Sequence, residues 1–386
     1  MKKKKGREFK KFIQNSLCRY VIVPYVFRKY NYKCGKITGV DGPALIIANH
    51  VTNMDPFLVG AATPRHLSFV ATENVMRGSV TGWLLNHVVD IIIHRKGKSG
   101  LKTIMDIKNN LAMGDSVVLF PEGNRSFNGE TGEADIEGLI KMIGRLGGTI
   151  VTYRLEGGYF TTPRWALKCR RGQMTGRMMN VYSPDILKKN VTEISEKIRS
   201  DIYVNAFEDQ AKNRIAYKGR ELAAGMESFA FLCPACESYS SLRSEGDNIK
   251  CTCGMKLLYN EYGELHNDSE VKVPDNLNLL TWDALQKNSI ADRELNAITF
   301  AEDRVTISRI EDHRAVDRRE GVLKITDGRL TVRIGVEEMT INSDELDGVS
   351  IFSRNVLTAY RGDSHYEIRG DVRFNALKYY YLFNKA

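Results

Sequence analysis

Asn49-His50-Val51-Thr52-Asn53-Met54-Asp55-Pro56 follows directly on the apolar run Ala44-Leu45-Ile46-Ile47-Ala48. A short apolar run closed by Asn-His predicts a buried strand that ends in an exposed loop. Asp55 stands where that loop turns into a helix, so its carboxylate can fold back toward the imidazole. A carboxylate on one ring nitrogen fixes the tautomer and leaves the other nitrogen free to take a proton, which is the arrangement of a general base with its orienting group. Alone, the pair fits equally a capping aspartate beside a surface histidine.

A second block has the same build. Val117-Val118-Leu119 leads into Phe120-Pro121-Glu122-Gly123-Asn124-Arg125-Ser126, again an apolar strand opening into a polar loop. Gly123 permits a close backbone approach, and Arg125 offers a planar fork of donors suited to phosphate or carboxylate. The bland alternative is ordinary turn chemistry, with Arg125 paired to Glu122. The two blocks in this order resemble the glycerolipid acyltransferase family, whose best-known members are the 1-acylglycerol-3-phosphate acyltransferases.

Two weaker blocks join the comparison. Ile91-Ile92-Ile93-His94-Arg95 matches the family's strand ending in a basic residue, with His94 where an acid is common. Thr149-Ile150-Val151-Thr152-Tyr153-Arg154 corresponds to a fourth motif in which Thr152 replaces the usual proline. The resemblance covers roughly residues 10 to 210. It implies a mixed α/β sheet flanked by helices, and the transfer of a fatty acyl group from acyl-CoA or acyl-ACP to the hydroxyl of a lysophospholipid. It also implies His50 as base and Asp55 as its orienter, with Glu122, Gly123, Asn124, Ser126 and two phosphate-holding arginines, Arg95 and Arg125, on the substrate. Backbone N–H groups around Gly123 are expected to face the thioester oxygen. 1-Acylglycerol-3-phosphate is the expected acceptor. Glycerol-3-phosphate and other lysolipids remain open, and so does a non-catalytic membrane or nucleic-acid adapter.

Composition bounds the setting. The chain has 386 residues, a net charge of +9 and 42% hydrophobic residues, with a mean hydropathy of −0.32. This describes a soluble globular protein of two or three domains. The run Tyr20–Phe27 contains Pro24 and falls short of the about 20 apolar residues a membrane-spanning helix needs. No secretory signal is read at the start, where Arg7, Glu8, Lys10 and Lys11 interrupt the apolar positions. Phe9, Phe12, Ile13, Leu17, Tyr20 and Val21 recur at three- and four-residue steps among cations. Residues 1–30 therefore read as a basic amphipathic segment, lying either on a membrane or on its own domain. The lipid chemistry favours peripheral contact at the cytoplasmic face of a membrane. Nucleic acid would explain the charge as well but is not the expected partner, and the oligomeric state is left open.

Beyond an acyltransferase domain at 31–210 and a linker at 211–230, the pattern changes. Cys233-Pro234-Ala235-Cys236 and Cys251-Thr252-Cys253-Gly254 have nearly the spacing of a zinc knuckle, the second pair being one residue tighter than usual. The expectation is a structural zinc ribbon over 231–262, with a hairpin of Glu237–Leu242 and Asn248–Cys251; a redox dithiol or disulfides are the alternatives. From 279 to 386 a mostly-β domain is expected, with strands at Val305–Ser308, Gly321–Thr326, Arg329–Ile334, Met339–Ile341, Val349–Phe352, Val356–Tyr360 and His365–Ile368. A helix at Phe374–Phe383 closes it. In pattern this resembles the pleckstrin-homology-like superfold, which hosts many functions.

Overall fold

The computed structural model describes residues 16–72, 90–94, 100–134, 136–294, 298–311, 314–326, 329–335, 337–341, 346–362 and 364–384. The chain divides into two compact units: residues 1–163 with 170–217, and residues 164–169 with 218–386.

The first unit is built on a seven-stranded sheet. After a π-helical turn at Cys18–Ile22 come α1 (Val23–Tyr30), β1 (Tyr32–Cys34), β2 (Ala44–Ala48), α2 (Asp55–Gly60), β3 (Leu67–Thr72), β4 (Asp90–His94), α3 (Leu101–Ala112) and β5 (Ser116–Leu119). The second half adds α4 (Glu137–Arg145), β6 (Thr149–Glu156), α5 (Gly158–Thr161), β7 (Met174–Tyr182), α6 (Pro184–Leu187), α7 (Val191–Ile202) and α8 (Ala206–Asn213). The strand order is β1-β7-β6-β2-β5-β3-β4. β6, β2, β5, β3 and β4 run parallel, and β7 pairs antiparallel with β6. This is the mixed α/β sheet expected for the region.

β2 shows why the sheet must be central. Every residue from Ala44 to Ala48 is buried, as a parallel strand covered on both faces requires. Ala44, Ile46 and Ala48 enter one core layer with Val26, Tyr30 and Phe57 from α1 and α2. Leu45 and Ile47 enter the other with Ile140, Ile143, Ile194 and Ile198 from α4 and α7. Sequence alternation thus divides one strand between two layers of helices. Because β6, β2 and β5 are parallel neighbours, the loops after all three leave the same edge, where open α/β sheets hold their ligands.

In the second unit, β8 (Leu242–Glu245), β9 (Asn248–Cys251), β10 (Lys256–Tyr259) and β11 (Leu265–Asn267) form a four-stranded antiparallel sheet. The first strand of the hairpin starts later than Glu237: Glu237 and Ser240 have positive φ, which breaks extended pairing there. Residues 218–230, expected as a linker, are packed instead, with Ala223, Met226, Phe229 and Ala230 all buried.

α9 (Leu279–Ala291) opens the region expected to be mostly β, and an Asn278/Thr281 capping box starts it. Then come β12 (Phe300–Glu311), β13 (Arg314–Thr326), β14 (Arg329–Ile334), β15 (Glu337–Ile341), β16 (Gly348–Phe352), β17 (Val356–Arg361), β18 (Ser364–Gly370) and α10 (Ala376–Phe383). The seven strands form one antiparallel sheet in the order β15-β14-β13-β12-β18-β17-β16, so the first strand pairs with the last. All seven anticipated strands and the closing helix are present, each within two residues or longer than its pattern suggested.

Candidate active site

The loop after β2 is organised by one buried carboxylate. Asp55, fully buried, stands at the first position of α2, with Pro56 next. Its Oδ2 lies 2.7 Å from His50 Nδ1 and accepts from the Val51 and Thr52 backbone N–H groups at 2.6 and 2.9 Å. Its Oδ1 accepts from the Thr52 hydroxyl at 2.6 Å. The carboxylate therefore shapes the loop as well as holding the ring. His50 keeps 22% of its side chain exposed and stacks on Phe120, ring centroids 4.7 Å apart. With Nδ1 held by Asp55, Nε2 is the nitrogen left for a proton in transit.

Asn49, which the motif reading passed over, fixes the loop's departure from the sheet. Its amide donates to Leu155 O and accepts from Leu155 N, both at 2.8 Å, adding a rung to the ladder beyond β2. The signal was its position between a buried run and His50, which a single sequence does not separate from ordinary turn chemistry.

The loop after β5 meets the β2 loop through Glu122. Its Oε1 accepts from the His50 backbone N–H at 2.7 Å, and Oε2 from the Gly132 N–H at 3.0 Å. Burial pushes the Glu122 carboxyl up to about 8, outweighing the N–H groups of Gly132 and His50, while the nearby Asp55 charge adds to the rise. The sign follows. The folded protein holds this proton up to about pH 8, whereas the unfolded chain releases it near 4.5. The stability this contributes is complete below the lower value and is lost as pH rises through the upper one. Relative to Glu122→Gln, the unfolding free energy of the unmodified protein is expected to fall by up to about 4 kcal/mol between pH 5 and 9. Urea unfolding of both proteins at the two pH values checks this, and parallel profiles would refute it.

The remaining loop residues divide. Gly123, at φ +65°, donates its N–H to Phe120 O at 3.2 Å and so closes the turn. Ser126 Oγ lies 3.0 Å from Asn128 Oδ1 and accepts from Gly129 N at 2.8 Å, holding the next turn. Asn124 and Arg125 are half-buried in the same loop. Arg95 lies outside the described residues, and His94 at the end of β4 has Nδ1 3.1 Å from Thr103 Oγ1. Thr152, standing where a proline was expected, bonds to buried Asp201 at 2.7 Å, and Arg154 donates to the Asp201 and Ser200 carbonyls. The fourth motif is thus a buttress of β6 against α7.

A small cleft at this edge is lined by His50, Glu122, Ser126, Glu130, Gly158 and Tyr159 among others. The third loop, after β6, contributes two glycines that sequence reading missed. Gly157 has φ +78°, and a Cβ on it would sit 2.3 Å from Gln173 O. A Cβ on Gly158 would sit 2.4 Å from Val51 Cγ2. Only glycines let this corner pass so close beneath the His50 loop.

The acyltransferase family matches residues 27–156, a span holding His50, Asp55 and the Glu122 loop. Residues 27–156 are an acyltransferase domain. Among solved structures, the 1-acyl-sn-glycerophosphate (LPA) acyltransferase PlsC from Thermotoga maritima is similar at 15% identity and a TM-score of 0.43, over 55% of this chain and 83% of that one. No curated protein matches. The acyltransferase domain thus places its His50–Asp55 pair and its Glu122 loop side by side at the carboxyl edge of the sheet.

In the second unit, the sulfurs of Cys233, Cys236, Cys251 and Cys253 all lie within 4.8 Å of one another and could hold a metal ion. Cys233 and Cys253 sulfurs are 3.8 Å apart, as are those of Cys236 and Cys251. That equals the edge, about 3.8 Å, of a tetrahedron with zinc–sulfur bonds near 2.3 Å, and far exceeds the roughly 2.0 Å of a disulfide. The backbone N–H groups of Ala235 and Cys236 are directed at the Cys233 sulfur.

Proposed function

We propose that the acyltransferase domain moves a fatty acyl group from acyl-CoA or acyl-ACP to the free hydroxyl of a lysophospholipid, 1-acylglycerol-3-phosphate in particular, giving phosphatidic acid. The observation that carries this reading is the 2.7 Å contact between His50 Nδ1 and buried Asp55 at the edge of a cleft. An alcohol is too weak an acid to attack a thioester unaided. His50 Nε2 takes the hydroxyl proton as the oxygen bonds to the thioester carbon. The tetrahedral state collapses with loss of the thiolate, which receives that proton. Asp55 stabilises the imidazolium formed between the two steps. Neutral Glu122 fixes the two loops relative to each other and leaves His50 as the base. Arg125, with Arg95, holds the acceptor phosphate.

The domain works at a membrane surface in this reading, peripherally and at the cytoplasmic face. No helix among the described residues is long and apolar enough to cross a bilayer. α1 buries Val26 and Tyr30 in its own domain, yet Tyr20, Val21 and Tyr25 are 75, 59 and 60% exposed on the same segment. The two alternatives for this segment are therefore compatible: one side packs inward and another offers aromatics to an interface. Residues 1–15, where its lysines concentrate, lie outside the described residues. In the second unit the four thiolates suit zinc and, being four, leave no open position for catalytic water, so the ion's role is structural.

Release of free thiol from acyl-CoA tests the reaction. It is expected only when lysophosphatidate is present, and Arg125→Ala is expected to raise the KM for lysophosphatidate roughly tenfold or more. Thiol release indifferent to every lysolipid would overturn the proposal.

A further inference from the structure

A second cleft lies in the first unit and is lined in part by α2. Its cavity volume is about 280 Å³, and it shares no lining residue with the cleft at His50. Its walls come from the Cys18–Ile22 turn, α1, α2 and the start of β3. Phe27, Phe57, Leu67 and Phe69 make it apolar, while Arg19, Lys36 and Arg65 bring cations to it. Both Lys36 and Arg65 are anchored at their heads by carbonyls: Lys36 Nζ donates to Ala61 O at 2.8 Å and Arg65 to Val40 O at 2.7 Å. Each keeps further donors, since an ammonium has three and a guanidinium five. Among the described lining residues there is no carboxylate. At its border, Asp90 lies 2.7 Å from His66 Nε2.

An apolar cavity with three cations and no acid among its described lining residues is complementary to an anion carrying hydrocarbon. It does not suit a free inorganic anion, which would gain nothing from the phenylalanines, or a neutral lipid, which would leave the cations unanswered. The setting narrows the source. Arg19 and Val23, which line the cleft, alternate along the chain with the exposed Tyr20, Val21 and Tyr25. The segment that would touch a bilayer is thus also a wall of the cleft.

We infer that this cleft binds one anionic phospholipid of the membrane, its headgroup on Arg19, Lys36 and Arg65 and its hydrocarbon against Phe27, Phe57 and Phe69. The site is separate from the reacting centre, and the inference stands whether or not His50 is the base.

Short-chain dioctanoyl-phosphatidylglycerol, used below its micelle concentration, provides the probe, because it is neither the proposed acceptor nor its product. Calorimetry on the full chain compares three proteins: unmodified, Lys36→Glu/Arg65→Glu, and Gly60→Phe. Lys36 and Arg65 are exposed, so their reversal leaves the core alone. A Cβ on Gly60 meets only Leu67 Cδ1, at 3.9 Å, so the larger ring fills the cleft without a backbone clash. Both variants are expected to bind roughly tenfold or more weakly. Dioctanoyl-phosphatidylcholine is expected to bind the unmodified protein that much more weakly, and glycerol-3-phosphate is expected not to compete. His50→Ala is expected to bind the probe as the unmodified protein does. Undiminished binding by Gly60→Phe, equal affinity for phosphatidylcholine, or full displacement by glycerol-3-phosphate would each overturn the inference.

Discussion

Replacing His50 with alanine is expected to lower acyl transfer by about 10²–10⁴-fold, the range a positioned general base supplies, while the fold survives. The two halves of that expectation come from different atoms. The ring is partly exposed, and buried Asp55 Oδ2, which it bonds, still accepts from the Val51 and Thr52 N–H groups once the ring is lost. The backbone N–H of His50 remains to bond Glu122, because alanine has one too. Asp55 behaves differently. Its carboxylate holds two backbone N–H groups and a hydroxyl besides the ring. Asp55→Ala is therefore expected to cost stability as well, on the order of 1–3 kcal/mol for the donors left unsatisfied. Thermal unfolding separates the cases: an unshifted midpoint for His50→Ala, a lowered one for Asp55→Ala. Equal destabilisation by both would contradict this division of labour.

Removing the metal is the second large effect expected. Metal analysis of protein purified without chelator should find one zinc per chain, and a strong chelator should lower the unfolding midpoint of the second unit by many degrees. Structural zinc in isolated finger peptides is worth roughly 10–16 kcal/mol, and loss of a small part of that is enough to melt a marginal region. The effect is expected to spread beyond the cysteines. Phe231 and Leu232, directly before Cys233, donate their N–H groups to Gln286 of α9, and Trp282 donates to Leu232 O. Lys378 of α10, almost fully buried, lies 2.6 Å from Asp303 on β12 and 3.3 Å from Ser240 Oγ in the cysteine-bearing segment. A loosened ribbon would leave these buried groups partly unpartnered, so the ribbon and seven-stranded sheet should unfold in one transition. Protein free of zinc, or a chelated form with an unchanged midpoint, would contradict the assignment.

How much of this was legible in the sequence follows from the range over which each feature is determined. The strands beneath the site were readable because Ala44–Ala48 and Val117–Leu119 are apolar runs that break abruptly into polar loops. The His50–Asp55 contact was readable because one loop and one helix start set it. The Glu122–His50 bond was not, since it requires β2 and β5 to be neighbours although β3 and β4 intervene in sequence. Gly157 and Gly158 look like any turn until Gln173 and Val51 are seen against them. Residues 211–230 read as a linker because the stretch Val191–Ala224 is charged and helix-prone, yet Met226 and Phe229 are fully buried. The cleft between α1 and α2 has no sequence signature, because its cations come from three separate segments.

The most direct test of the central claim is phosphatidic acid formed from acyl-CoA and lysophosphatidate, quantified by mass spectrometry. Purified His50→Ala is to be compared with the unmodified protein at matched folded fraction. The account predicts product from the unmodified protein and about a hundredth or less of that rate from the variant. Near-normal product formation by folded His50→Ala would contradict it.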